Sequence, residues 1–337
     1  MTKRRKKKKL KLNAGIRRFL RKTLLTIVAV MVPVMISGYI ALRLLLKGPS
    51  QTFSELVVST FWETRRGKAI VNLFYTDEDR DAILYKNTVN YDIPVTNTDN
   101  TEFVIPEDEK DKIEIIDIAG GTFKGKMMIV RDPSRIQLGV NVLMNDPSKG
   151  YSVEDYVQTS GAIAGINAGG FEDPNGQGDG SIPYKIVIKD EKLVAGKMSD
   201  YQTLIGFNKE NHLIVGDMTG EQALEWGLTD AVTFGPVLVY DSHPVAVAGN
   251  GGGLNPRTVI GQTPDGSVLL LVIDGRQPNC IGASYEDCIR IMMEYGAVAA
   301  ANLDGGSSSV MYYDGRIINS VVSMNGDRAV PTAWLVK

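Results

Sequence analysis

The segment TVIGQTPDGSVLLLVID, residues 258–274, gives the clearest indication of the fold. Two apolar runs flank Pro264-Asp265-Gly266, and this tripeptide is typical of a turn. The segment therefore predicts a β-hairpin.

The chain after this hairpin continues with one helix and further strands. Apolar residues recur at helical spacing between Ser284, which predicts an N-cap, and Gly296, which predicts the helix end. The run AVAAANL at 297–303 predicts a buried strand, and Asp314-Gly315 predicts the turn of a second hairpin.

The chain before the hairpin is also rich in strand signals from Lys112 onward. KIEIIDIAG, KMMIVRD and RIQLGVNV are short β-rich runs separated by Gly, Pro, Asn and Asp. A helix is predicted at 152–160, directly before a strand that runs into GINAGGF. Mixed elements of this kind predict an α+β fold: one sheet-rich domain at 111–337, with mixed or antiparallel strands and few helices.

The N-terminal region is strongly asymmetric in charge. The first 22 residues hold twelve Lys or Arg and no acid, whereas the remainder holds 25 basic and 39 acidic residues. The apolar run 23–46 follows at once and is long enough to cross roughly 30 Å of hydrocarbon. We therefore predict a cytoplasmic tail at 1–22 and a transmembrane helix at 23–46 that contacts the lipid bilayer, rather than an arm that binds nucleic acid.

The same pattern predicts where the domain lies. A cleaved signal peptide is the alternative, but the apolar run is long and no A-x-A site follows it. The positive-inside rule places the N-terminus in the cytoplasm and the domain outside, in a single-pass protein of the cell membrane. Residues 47–110 are predicted to be a juxtamembrane stalk or accessory region, with a helix at 52–62, a charged break at 76–80 and no part of a site.

The few cysteines and histidines limit which kinds of catalytic or metal site the chain can contain. The two cysteines, Cys280 and Cys288, predict either a small-loop disulfide or two buried apolar side chains. The two histidines, His212 and His243, lie in turn or hairpin sequence. A histidine-rich zinc site and a Ser-His-Asp apparatus are therefore disfavoured, and no metal ligand set or cofactor is predicted.

Two carboxylates stand where apolar strands end. Asp274 and Asp304 each follow an apolar run and precede glycine, so each can project from a sheet rim into a cleft. Asp-Gly is also a common turn dipeptide, as at Asp265 and Asp314, where the turn is the simpler interpretation. Paired carboxylates suit displacement at an anomeric carbon, in which they serve as nucleophile, base or acid.

Arginines and glycines lie beside these carboxylates. Arg257, Arg276 and Arg328 carry planar guanidinium groups that bind phosphate oxygens in pairs. The runs GNGGG (249–253) and GGSSS (305–309) can present backbone N–H groups to an anion. The acidic segment 173–180 suggests a structural calcium ion, although it lacks the final glutamate of an EF-hand loop.

Six segments in one order connect these features to a known family. The chain resembles the phosphodiester glycosidase family at GINAGGF (165–171), TFGPVLV (233–239), GGGLNPRTVIG (251–261), LVIDGRQP (271–278), NLDGGSSSVMYYDGR (302–316) and RAVPTAWLV (328–336). The resemblance covers residues 111–337.

The resemblance implies hydrolysis of the bond between a sugar C1 and a phosphodiester oxygen, as in the family's N-acetylglucosamine-1-phosphodiester activity. It implies Asp304 and Asp274 as the catalytic carboxylates. The substrate and phosphate pocket that it implies consists of Asn167, Gly169, Gly170, Phe171, Asn255, Arg257, Thr258, Gly275, Arg276, Gly305, Gly306, Ser307 and Arg328.

The N-terminal anchor is typical of a Gram-positive surface protein, so glycosyl-phosphate linkages of cell-envelope polymers are expected targets. Two other functions fit the same residues. One is a protein that binds or assembles envelope glycans without cleaving them. The other is a phosphodiesterase that attacks phosphorus, for which the usual His/Asp metal cluster is absent from the sequence.

Overall fold

A computed structural model describes residues 14–88, 95–96, 103–144, 146, 148–174, 178–322 and 327–337. The chain divides into two compact units, Met1–Ser54 and Glu55–Lys337. The domain boundaries given above, at residues 47 and 111, stay a prediction.

The first unit consists largely of one long helix, α1 (Ala14–Lys47). Within Gly15–Lys47 an 18-residue window has a mean hydropathy of 2.2, and by length and composition this helix is able to cross a membrane. It includes the predicted span 23–46. Pro33 lies inside it, a position that transmembrane helices tolerate.

Three further helices precede the sheets: α2 (Gln51–Trp62), α3 (Arg65–Val71) and α4 (Asp77–Lys86). The helix predicted at 52–62 is confirmed. The charged break predicted at 76–80 was wrong, because α4 begins there. Thr76 caps this helix by accepting a hydrogen bond from the Asp79 N–H, and the acidic first turn suits the positive end of the helix dipole.

The largest sheet has seven antiparallel strands in the order β1-β2-β13-β12-β14-β10-β11. Its central hairpin joins β12 (Arg257–Gln262) to β13 (Val268–Ile273), as predicted. Both strands are buried at every position; β13 is accordingly apolar throughout, whereas β12 is apolar in its middle and carries buried polar residues at its ends. The other strands are β1 (Ile113–Ala119), β2 (Lys124–Val130), β10 (Val237–Tyr240), β11 (His243–Pro244) and β14 (Ala299–Leu303).

Two five-stranded antiparallel sheets complete the second unit. One has the order β16-β15-β4-β17-β3 and contains β3 (Ile136–Val140), β4 (Ala164–Asn167), β15 (Met311–Tyr313), β16 (Arg316–Ile317) and β17 (Thr332–Val336). The other has the order β6-β5-β9-β7-β8 and contains β5 (Val187–Lys189), β6 (Lys192–Ala195), β7 (Gln202–Asn208), β8 (Leu213–Met218) and β9 (Leu228–Thr233). The second hairpin predicted at Asp314-Gly315 is confirmed as β15–β16.

A central core lies where the three sheets meet. Leu270, Ile166 and Val232 belong to different sheets and to one cluster of buried side chains. The remaining helices, α5 (Val153–Ser160), α6 (Gly220–Glu225) and α7 (Tyr285–Glu294), cover the outer faces of the sheets. The predicted α+β, sheet-rich fold with an N-terminal apolar helix is confirmed.

Helix α7 is the one predicted from its periodicity, and Ser284 caps it through a reciprocal capping box with Asp287. Its apolar face packs on the seven-stranded sheet. Cys288 lies on this face, and both Cys288 and Cys280 are buried and unpaired. The two cysteines therefore match the buried apolar interpretation rather than the disulfide.

Candidate active site

The register of the seven-stranded sheet brings three of the sequence motifs to one edge. Because β12 runs antiparallel to both of its neighbours, the start of β12 lies beside the ends of β13 and β14. Arg257 pairs with Ile273, and Thr258 pairs with Leu303. LNPRT, IDGR and LDGGS consequently meet although their first residues, Leu254, Ile273 and Leu303, are 19 and 30 positions apart along the chain.

Asp304 lies directly after β14 and lines a cleft of about 540 Å³. Its backbone N–H donates to the carbonyl oxygen of Ala168, which fixes the loop. Ser308 and the backbone of Gly305 bond to the carboxyl group, but its Oδ2 is buried and has no partner. Burial is the dominant influence, and it raises the pKa of Asp304 to about 6.

Arg276 brings a second ionic group to the cleft. Its guanidinium donates to Asn255 Oδ1 at 3.1 Å and to the Glu63 carbonyl oxygen at 3.3 Å, while its Nε is buried without a partner. Burial lowers the pKa of Arg276, although the guanidinium remains charged at neutral pH. Gly306 has φ of 65°, which favours glycine, and a Cβ there would lie 3.0 Å from Arg276 Nη1 and would displace the guanidinium slightly.

Two further arginines are held against aromatic rings. The Arg257 guanidinium lies 4.0 Å from the ring centroid of Tyr285 and donates to the Gly252 and Gly253 carbonyl oxygens at 3.1 and 3.0 Å. The Arg328 guanidinium lies 4.2 Å from the ring centroid of Phe171. Both arginines line the cleft, which therefore contains three guanidinium groups and the Asp304 carboxyl.

Another group of predicted residues lies beneath the cleft rather than in its wall. Asn167 is fully buried, donates to the Asp304 carbonyl oxygen at 2.6 Å and accepts from Thr258 Oγ1 at 2.9 Å. The Gly169 N–H donates to Thr332 Oγ1 at 2.9 Å. The Asn167 bonds tie β4 to β12 and to the end of β14, and the Gly169 bond ties the loop after β4 to β17, so these residues position the loops that carry the cleft residues.

The structure does not bring Asp274 into the cleft that Asp304 lines. Asp274 Oδ1 accepts from the Ser320 N–H at 2.9 Å and from Asn319 Nδ2 at 3.1 Å, so this carboxylate holds the loop after β16. Gly275 is also outside the cleft wall and is closely packed, because a Cβ there would lie 2.7 Å from the Ile281 carbonyl oxygen. Asp274, which the sequence pairs with Asp304, therefore does not line the same cleft.

The helices before the domain supply part of the wall, so the prediction that residues 47–110 contain no part of a site was wrong. Trp62 at the end of α2, Glu63 after it and Lys68 in α3 all line the cleft. The position of α2 is fixed in part by Thr60 Oγ1, which accepts from the Leu254 N–H at 3.0 Å. The sequence offered no signal for this, because nothing local connects Glu63 with motifs almost 200 residues later.

The cleft wall thus combines predicted and unpredicted residues. The predicted residues that line it are Gly170, Phe171, Asn255, Arg257, Arg276, Asp304, Gly305, Gly306, Ser307 and Arg328. Those that sequence reasoning missed are Trp62, Glu63, Lys68, Asp173, Tyr184, Phe234, Gly235, Pro256, Tyr285, Asn302 and Ser308. Phe234 and Gly235 lie within TFGPVLV, a quoted motif from which no site residue was named.

The segment that suggested calcium lies partly outside the described residues, which omit 175–177. Within the part that is described, Asp173 Oδ1 accepts from the Gly178 N–H at 2.5 Å. No cluster of three His, Cys, Asp or Glu side chains suited to a metal occurs among the residues that the structure describes.

Comparison with known proteins connects this cleft to a family. The family model described as phosphodiester glycosidase matches residues 160–337, which is more than half of the chain and includes Asp304 and all three cleft arginines. The chain belongs to the phosphodiester glycosidase family. The resemblance seen in six sequence segments is thereby confirmed, and the family consists of hydrolases that act on phosphodiester-linked sugars.

Two individual proteins show how far the similarity extends. The chain is 28% identical over 167 residues to the SPbeta prophage-derived uncharacterized protein YomE of Bacillus subtilis, an alignment that covers 48% of this chain and 26% of that protein. The chain thus spans about a quarter of the length of this relative.

A solved structure shares the fold. It is the zebrafish N-acetylglucosamine-1-phosphodiester alpha-N-acetylglucosaminidase catalytic domain, auto-inhibited by its pro-peptide. The TM-score is 0.55 at 21% identity, with 67% of this chain and 82% of that chain covered.

Proposed function

We propose that this phosphodiester glycosidase hydrolyses the C1–O bond of a sugar-1-phosphodiester, such as a GlcNAc-1-phosphodiester, and releases free sugar and a phosphomonoester. One observation carries the proposal: a buried carboxyl, Asp304, shares one cleft with three arginines. The carboxyl can act as base or nucleophile at the anomeric carbon, and the arginines can bind the phosphate oxygens.

In this reaction a water oxygen bonds to C1 while the bond from C1 to the phosphate oxygen breaks. The proton released by water passes to a carboxylate, and the electron pair of the broken bond leaves with the phosphate. We assign the carboxylate role to Asp304, whose Oδ2 has no partner within the protein. A direct attack of this oxygen on C1, followed by hydrolysis of the glycosyl ester, leads to the same products.

The arginines stabilise the leaving group. A phosphomonoester gains negative charge as the C1–O bond breaks, and guanidinium groups already fixed in place bind that charge without reorganisation. Arg276 is anchored by Asn255, Arg257 by two backbone carbonyls and Arg328 by Ser307 Oγ at 3.3 Å. A phosphate leaving group needs little help from a general acid, so the cleft functions without histidine.

Product analysis in ¹⁸O-labelled water tests this proposal. We expect the full chain in detergent to release free GlcNAc from methyl GlcNAc-1-phosphodiester, with the label in the sugar. Label in the phosphate would instead identify a phosphodiesterase that attacks phosphorus. If no glycosyl-phosphodiester is cleaved but such ligands bind, the protein is a glycan-binding protein and the proposal is wrong.

We further propose that α1 anchors the protein in the cell membrane with the cleft outside, facing glycosyl-phosphate linkages of the cell envelope. Twelve basic residues before the apolar run and an acidic remainder support this orientation. Protease added to intact cells should digest the part of the chain after residue 47 and leave a short membrane-protected fragment that contains the N-terminus. A chain that becomes accessible to protease only after lysis would contradict this topology.

A further inference from the structure

A second cleft, of about 320 Å³, adjoins the first. The two share three wall residues, Trp62, Glu63 and Tyr285, so they lie next to each other. The residues that line the second cleft are Ser59, Trp62, Glu63, Leu84, Tyr85, Asn87, Thr88, Gly252 and Tyr285. They come from α2 and the residue after it, from the end of α4 and the two residues after it, from the glycine-rich loop 249–253 and from the first residue of α7.

Backbone and side-chain bonds hold these walls together. Asn87 Oδ1 accepts from the Asn250 N–H at 2.9 Å, and the Asn87 carbonyl oxygen accepts from the Gly252 N–H at 2.9 Å. On its other side Asn87 Nδ2 donates to Glu55 Oε2 at 3.2 Å, which connects α4 to α2. The shape of the cleft is therefore fixed by hydrogen bonds between its walls and not by the conformation of a single side chain.

The wall chemistry differs from that of the first cleft. Glu63 is the one acidic side chain among the described residues that line the second cleft, and no arginine or lysine is among them. The guanidinium of Arg80 lies against the Trp62 ring, 4.3 Å from its centroid, but is not part of the wall. Aromatic side chains with polar tips instead dominate, namely Trp62, Tyr85 and Tyr285, and such rings pack against the C–H faces of sugars while their polar atoms meet hydroxyl groups.

Ser59 gives an independent indication of a polar ligand. It is 2% exposed, lines the second cleft, and its Oγ has no hydrogen-bond partner. A buried hydroxyl without a partner is unfavourable, and rotation of this side chain toward the cleft would let a ligand hydroxyl satisfy it. Tyr85, at 81% exposure on the rim, is ready to cover such a ligand without unfolding the wall.

We propose that the second cleft is a subsite for a neutral sugar unit next to the scissile linkage. The preferred substrate is then a longer glycan in which the sugar phosphate carries at least one further pyranose ring. This inference rests on the proposed function for the chemistry of the first cleft, but the second cleft can be tested by binding alone. The shared wall of Trp62 and Tyr285 would contact both units.

The test measures binding of three ligands to the full chain carrying Asp304→Asn, by titration calorimetry in detergent. The ligands are methyl GlcNAc-1-phosphodiester, the same compound with a second sugar on its glycosyl side, and the same compound with a sugar in place of methyl. We expect one of the extended ligands to bind about tenfold more tightly than the short one, because one additional sugar stacks on aromatic rings.

Two variants test which residues produce the gain in affinity for the extended ligand. Tyr85→Ala removes an exposed ring, and Ser59→Leu fills the cleft; each should abolish most of the tenfold difference and leave affinity for the short ligand within twofold. Tyr201→Ala is the matched control, since Tyr201 is 63% exposed and lies outside both clefts. Equal affinity for short and extended ligands, or a gain that survives Tyr85→Ala, would overturn the subsite. The proposed function is tested separately, by measuring whether the unaltered chain hydrolyses methyl GlcNAc-1-phosphodiester.

Discussion

Replacing Asp304 by asparagine is expected to lower kcat/KM for glycosyl-phosphodiester hydrolysis by about 10³-fold or more, because the only change is the loss of a carboxylate at the reacting carbon. Asparagine keeps the size of the side chain and the contacts with Ser308 and Gly305. Release of free sugar, measured with the full chain in detergent, checks the loss. A loss of less than tenfold would remove Asp304 from the mechanism.

Asp274→Asn is the matched control, because the same atom change occurs in a carboxylate that bonds Asn319 and Ser320 outside the cleft. We expect this variant to lose less than about tenfold in kcat/KM, since no reacting group is removed. A loss equal to that of Asp304→Asn would return Asp274 to the catalytic role that the sequence suggested for it.

The pH dependence of the same enzyme follows from the raised pKa of Asp304. A carboxylate that acts as base or nucleophile must be ionised, so kcat/KM should rise with pH through about 6 and then level off. Stability should change in the opposite direction. The folded-state pKa lies above the ordinary value of 3.8, so protonation favours the folded state, and this contribution is lost as pH rises from 3.8 through about 6. Asp304→Asn should abolish that decline in the free energy of unfolding.

Replacing Glu63 by glutamine is expected to lower kcat/KM by about 10²-fold, since we propose Glu63 as the second carboxylate of the reaction. Glu63 lines the same cleft as Asp304, and its negative charge contributes to the raised pKa of Asp304. Displacement at an anomeric carbon commonly uses two carboxylates, and Asp274 is held elsewhere. The Glu63 carbonyl oxygen also bonds Arg276, a contact that glutamine preserves.

The remaining cleft carboxylate, Asp173, provides the comparison. Its Oδ1 already accepts from the Gly178 N–H, so Asp173→Asn should reduce kcat/KM by less than about tenfold. Glu63→Gln should also lower the apparent pKa in the pH profile, because removing a nearby negative charge makes the Asp304 carboxylate easier to form. If Asp173→Asn is the more damaging change and the pH profile of Glu63→Gln is unaltered, the second carboxylate is Asp173.

Local sequence determined much of the secondary structure of this protein. The turn at Pro264-Asp265-Gly266 between two apolar runs specified the central hairpin, and the capping box at Ser284 specified α7, because turn and cap preferences act over a few residues. The long apolar run specified α1 for the same reason. The charged break at 76–80 was wrong because acidic residues just after Thr76 also begin a helix, and composition alone does not distinguish the two.

The three arginines of the cleft were also recognisable in the sequence, because they lie in loops beside the motifs, and most of its glycines were recognisable through the family resemblance. Which of them share a cleft was decided by the tertiary structure. The antiparallel register of β12 with β13 and β14 aligns three strand ends, yet Asp304 turns into the cleft while Asp274 turns toward Asn319.

Glu63 reaches the same cleft because α2 is bound to the glycine-rich loop through Thr60, a contact that spans 194 residues. The sequence by itself determined most of the elements and the family, whose members act on phosphodiester-linked sugars. Only the tertiary structure decided which carboxylates line the first cleft and created the second cleft, since both depend on long-range packing that no local pattern records.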